Sequence, residues 1–149
     1  MLSCRARSQR VDFLRHFIKA MEHIKPKILD LPLKAQWYLM QESEEKTEEY
    51  REITPYWCNR LLDQDSSLGI RYWQVAVKKA YEYDKEGICP LEKLTSNFEL
   101  KKYTHVRFRY GYTKRTFTHK IDSITIGYGK PEWGAPTDKK VFIIKHHKE

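Results

Sequence analysis

Hydrophobic residues change period twice in the first third of the chain. Val11, Leu14, Phe17, Ile18, Met21 and Ile24 recur at three- and four-residue steps, which aligns them on one side of a helix, so residues 11–24 are predicted to be helical and amphipathic. This helix is expected to pack on the rest of the domain, with a membrane surface as the alternative because basic residues surround its stripe. Ile28 to Leu33 is short, apolar and stopped by Pro32, as suits a first strand. Lys34 to Ser43 then reads as a helix whose Ala35, Trp37, Tyr38 and Leu39 are expected in the core. From Lys46 to Ile53 strand-favouring Thr47, Tyr50 and Ile53 stand among charges. In a regular strand Thr47, Glu49, Arg51 and Ile53 share one face, and Lys46, Glu48, Tyr50 and Glu52 share the other. Thr54 as N-cap and Pro55 in the first turn open another helix, which sets Tyr56, Trp57, Arg60 and Leu61 beside that strand.

The second half alternates. Asp63 to Gly69 has the composition of a loop. Trp73, Val77, Ala80 and Tyr81 have helical spacing, punctuated by Gly87 and Pro90, and predict a surface helix. From Tyr103 to Tyr110 the period is two: Val106, Phe108 and Tyr110 face one way, His105, Arg107 and Arg109 the other. Gly111 allows a turn, and Phe117, His119 and Ile121 continue on a second strand, which makes a hairpin with Tyr112, Lys114 and Arg115 at its tip. The apolar phase then slips by one to Ile124 and Ile126, which predicts a bulge near Asp122 and Ser123. Val141 to Ile144 reads as a buried closing strand, and His146 and His147 as a terminal tail rather than a metal site.

At 149 residues with 40% hydrophobic composition, one α+β domain with one core is expected. Cys4, Cys58 and Cys89 form no disulfide framework and no CxxC pair, so a reducing, cytoplasmic setting without a metal or other cofactor is expected. No apolar run approaches the roughly 18 residues of a membrane span, and the N-terminus lacks the apolar core of a signal peptide, so no membrane partner is predicted. The net charge of +8 is unevenly spread: residues 1–27 carry +5, residues 101–120 carry +7 without one acid, and the remainder is acidic. Such asymmetry favours a polyanionic partner, RNA above all, with a solvated basic surface as the alternative.

The densest run of ionisable groups is Ser43 to Pro55. Glu49 and Arg51 stand two apart on one strand face, about 7 Å between Cα atoms, so their charged ends can meet. Lys46-x-x-Glu49-x-Arg51 resembles the end of the GxKxxExR signature of ASCH domains, although the signature's glycine falls on Glu44. Leu31-Pro32-Leu33-Lys34, Tyr56-Trp57 and the loop Gly127 to Gly134, with Lys130 and Trp133, resemble the same family in order and spacing. The resemblance covers residues 28–145. It implies a small PUA-like β-barrel flanked by helices and a cleft suited to RNA or a nucleotide. Residues 1–27 then form a basic N-terminal helical extension, with residues 1–20 an added arm or an upstream start. Residues 28–149 form the domain itself, with an insertion at about 63–100.

Arg51 is a permanent cation able to grip a carboxylate or phosphate in two places, and Lys46 is a mobile one. In a regular strand Lys46 points away from Glu49 and Arg51, so it joins them only if the chain turns at Glu44 and Glu45. Candidate ligand contacts are therefore Lys46, Glu49, Arg51, Tyr56, Lys130 and Trp133, with Arg107, Arg109, Lys114 and Arg115 on the basic hairpin. The alternative to a binding module is a hydrolase of RNA or modified nucleosides using Lys46 and Glu49. One branch of the superfamily, amidohydrolases of N4-acetylcytidine, pairs a lysine with a threonine three residues later. That position is Glu49 here, which argues against the activity.

Overall fold

A computed structural model describes residues 4–22, 25–63, 70–86, 91 and 98–149. Helix α1 (Cys4–Glu22) precedes strand β1 (Ile28–Leu33), helix α2 (Ala35–Glu42), strand β2 (Glu48–Glu52) and helices α3 (Pro55–Leu61) and α4 (Ile70–Lys85). Strands β3 (His105–Tyr110), β4 (Thr116–Gly127) and β5 (Val141–His147) complete an α+β fold, with a 3-10 turn at Pro131–Trp133 between the last two. The five strands form one sheet in the order β1-β3-β4-β5-β2, curled into a half-barrel. Pro32 lies in β1, one of its two edges, where a missing N–H breaks no ladder.

Curling follows from β4. Its twelve residues pair with β3 through Thr116–Lys120 and with β5 through Lys120–Gly127, and the register shifts between Ile121 and Ser123. The bulge expected from the slipped phase is therefore present, and it lets one strand bend from one partner to the next. Inward-facing Leu29, Leu31, Val106, Phe108, Phe142 and Ile144 fill the concave side and meet Cys58, Leu61 and Leu62 of the α3 region. Burial there pushes the Cys58 thiol up to about 12.

Four expectations are corrected. Helix α1 forms, but every side chain from Gln9 to Lys19 is exposed, so the described part of the stripe, Val11, Leu14, Phe17 and Ile18, does not pack on the sheet. In α2, Tyr38 and Gln41 are buried while Leu39 is 48% exposed. An eight-residue helix beside a curled sheet has only a narrow inward arc, and Tyr38 and Gln41, three apart, occupy it. Helix α4 is more than a surface helix, since Val77 and Ala80 enter the core. Finally β5 continues through His147, so the two histidines are strand residues: His146 points inward and is buried, His147 outward. The expected loop beyond Asp63, Gly87, Pro90, Ile24 and the side chains of Trp73 and Met21 lie outside the described residues.

Candidate functional site

The two edge strands β1 and β2 do not pair, and a cleft of about 410 Å³ lies in the gap. Pro32, Leu33 and Lys34 line one side, Lys46, Glu49, Tyr50 and Arg51 the other, with Trp37, Trp57, Trp133 and Gly134 around them. Guanidinium groups bridge the unpaired edge. Arg51 Nη2 donates to the Pro32 carbonyl at 3.3 Å, and Arg60 Nη2 to the Asp30 carbonyl at 2.9 Å. Those two carbonyls, two residues apart on an edge strand, would otherwise lack partners.

Lys46 reaches the cleft because the chain turns before β2. Glu44 adopts φ +63°, in the left-handed region that favours glycine, and the Lys46 N–H donates to the Met40 carbonyl at 3.0 Å. Lys46 thereby approaches Glu49 from ahead of the strand rather than from its opposite face. Lys46 Nζ donates to Glu49 Oε2 at 2.7 Å, Gln41 Nε2 donates to the same oxygen at 2.8 Å, and Arg51 Nη1 donates to Oε1. Both oxygens of Glu49 are thus engaged by three donors. Lys46 and Glu49 are 2% and 3% exposed. Burial pulls the Lys46 amine below its ordinary value, opposed by the Glu49 carboxylate. The ammonium also lies 4.7 Å from the Trp37 ring centre, and the Arg51 guanidinium 5.1 Å from that of Trp57.

The loop after β4 is tied down from below. Tyr50 donates its hydroxyl proton to Glu48 at 2.7 Å and accepts from the Lys130 N–H at 3.0 Å. Gly129 lies so close to Tyr50 and Ala135 that a Cβ there would stand 2.6 Å from Ala135 Cβ and 2.7 Å from the Tyr50 ring. Gly134 takes φ +92° against the Trp37 indole. Trp133 is thereby held at the cleft, with Lys130 Nζ 4.1 Å from its ring centre.

Other sequence candidates lie elsewhere. Tyr56 is exposed outside the cleft, and its neighbour Trp57 lines it. Arg107 and Arg109 share Asp30 at 3.6 and 3.1 Å. Arg115 pairs with Glu42 at 2.9 Å and lies over the Tyr38 and Tyr110 rings, while Lys114 is exposed at the hairpin tip. None of these four basic residues lines the cleft, and acids meet three of them.

Two features were missed. Gln41 orients Glu49, and His146 meets His119 in the core, Nδ1 to Nδ1 at 2.9 Å, so one ring donates and the other accepts. Burial, then the neighbouring His119, drives His146 down to about 3, and burial lowers His119. A signal existed for His146: it continues the inward parity of Phe142 and Ile144. Among the described residues no group of three or more His, Cys, Asp or Glu side chains is arranged to hold a metal ion. Compared with protein-family models, curated proteins and solved structures, the chain matches none.

Proposed function

We propose that the protein is an ASCH domain of the PUA-like class that binds RNA or a nucleotide in the cleft between β1 and β2. The observation that carries this reading is the state of Glu49. With Lys46 and Gln41 on one oxygen and Arg51 on the other, three donors occupy most of the roughly four lone-pair sites of the carboxylate, which makes it the fixed centre of the site and a hindered acceptor for a substrate proton. A hydrolase built on Lys46 and Glu49 would have to break that arrangement first. Binding needs no such change: Trp57 and Trp133 line the cleft, each with a cation over its ring, and Lys46 and Arg51 against the one carboxylate of Glu49 leave the site an excess of positive charge. The departure from the family pattern at Glu44 supports the reading, since the residue there adopts the glycine-like φ that the signature requires. Because Arg107, Arg109 and Arg115 lie outside the cleft and are engaged by acids, the hairpin contributes chiefly through Lys114.

The test is equilibrium binding of a labelled single-stranded RNA and of nucleoside 5′-monophosphates to wild type, Arg51→Gln, Trp133→Ala and Lys114→Glu. Arg51→Gln should weaken binding about tenfold or more, as expected for one charge-assisted contact, and Trp133→Ala by a similar factor through lost stacking. Lys114→Glu should alter chiefly the salt dependence for RNA. Binding that ignores both cleft substitutions refutes the site. Wild-type turnover of an acylated cytidine or of the RNA, lost in a folded Lys46→Ala, would promote the hydrolase instead.

A further inference from the structure

Helix α1 carries the largest uncovered apolar surface among the described residues. Val11, Phe13, Leu14, Phe17 and Ile18 are between 47% and 71% exposed, and the Phe13 and Phe17 rings stack 6.4 Å apart. No other described helix exposes more than two large apolar side chains. Most helices in proteins draw their stability from packing an apolar face, and α1 with its described side chains exposed has only intrinsic propensity to rest on. A surface that covered this side would stabilise the helix.

Charge selects the surface. Among the described side chains of α1, Arg10, Arg15 and Lys19 stand against Asp12 as the one acid, and Lys25 and Lys27 come after the helix ends at Glu22. Arg10 stands three and four residues before Phe13 and Leu14, on the same side of the helix. A second copy of the chain would set these cations against their own kind. RNA would match the cations but leave five apolar side chains in water. The interface of an anionic bilayer satisfies both, since apolar side chains sink to the acyl boundary while arginine and lysine reach up to the phosphates.

We infer that α1 is a peripheral anchor that lies on anionic phospholipid surfaces and tethers the half-barrel to them. It lies on the membrane and does not cross it: no described helix is long and apolar enough to span. The cleft takes no part, so this holds or fails independently of what the cleft binds.

The experiment is sedimentation of the full chain with vesicles of pure phosphatidylcholine and of phosphatidylcholine with about 30% phosphatidylglycerol, at two salt concentrations. Wild type should bind the anionic vesicles, at least about tenfold more tightly than the neutral ones, and more weakly at high salt. The double variant Phe13→Ser, Phe17→Ser should lose about tenfold or more in partitioning, and Arg10→Gln with Arg15→Gln and Lys19→Gln should lose the preference for anionic lipid. Both sets lie on exposed positions, and unchanged far-ultraviolet circular dichroism from the sheet verifies their folding. No sedimentation by wild type overturns the inference, as does equal binding by the phenylalanine variant. A concentration-dependent dimer in light scattering that the phenylalanine variant disperses would assign the face to a second copy. Loss of RNA binding in the arginine variant without any lipid binding by wild type would assign the helix to RNA.

Discussion

Substitution of Glu49 by glutamine removes one charge and almost no volume. Lys46 and Glu49 side chains are 2% and 4% exposed, with Nζ and Oε2 2.7 Å apart. At an effective dielectric constant of about 20 and about 4 Å between charge centres, their attraction is about 4 kcal/mol. Glutamine can still accept from Lys46 and Gln41 through its amide oxygen, but its amide nitrogen then faces Arg51 Nη1, donor against donor. Lys46 is left buried beside Arg51 without a counter-charge, and breaking a buried pair from one side costs about 3–5 kcal/mol. That is a large share of the roughly 5–15 kcal/mol that holds a domain of this size together. Loss of the Lys46 proton caps the cost, because burial already pulls that amine down. Folded Glu49→Gln protein therefore binds fewer protons than its unfolded state, and its stability should rise relative to wild type from pH 7 to about pH 9.5. Urea unfolding at both pH values measures this. A Glu49→Gln midpoint at pH 7 within about 1 kcal/mol of wild type would refute the assignment of Glu49 as the buried centre of the site.

Three further outcomes are expected. His146 is held neutral with its folded value at about 3 against an ordinary 6.5, so the unfolded chain binds the extra proton; stability should fall between pH 6.5 and 4.5 by about 2 kcal/mol from this group, a loss absent from His146→Phe when the two proteins are compared by urea unfolding. Gly129→Ala should cost about 1–3 kcal/mol, since its Cβ meets Ala135 and Tyr50 at 2.6 and 2.7 Å, while Gly111→Ala, with nothing within 4 Å, should cost only about 1 kcal/mol for its φ of +56°. Equal effects would show that crowding at Gly129 is relieved elsewhere. Deletion of residues 1–22 should move the thermal midpoint by less than about 2 °C, because the described α1 side chains are exposed; a loss of several kcal/mol would show the stripe to be core.

Local periodicity sufficed for much of this protein. The alternation of Val106, Phe108 and Tyr110 gave β3, Thr54-Pro55 gave the start of α3, and a one-residue slip after Ile121 gave the bulge, because each depends on side-chain direction within a few residues. Two-residue spacing also brought Glu49 to Arg51. It did not decide whether Lys46 would join them; that took the φ of Glu44, a backbone choice stabilised by the Lys46 N–H on the Met40 carbonyl. Nor does spacing reveal which cations stay unpaired. Arg107 and Arg109 look free along β3, yet parallel pairing sets Asp30 and Arg107 in register and delivers one carboxylate to both. His119 and His146 stand 27 residues apart, and only the β4–β5 ladder, closing the curl, joins their rings. Sequence fixes where side chains point along an element; contacts between elements depend on register and curvature, which the whole sheet sets together.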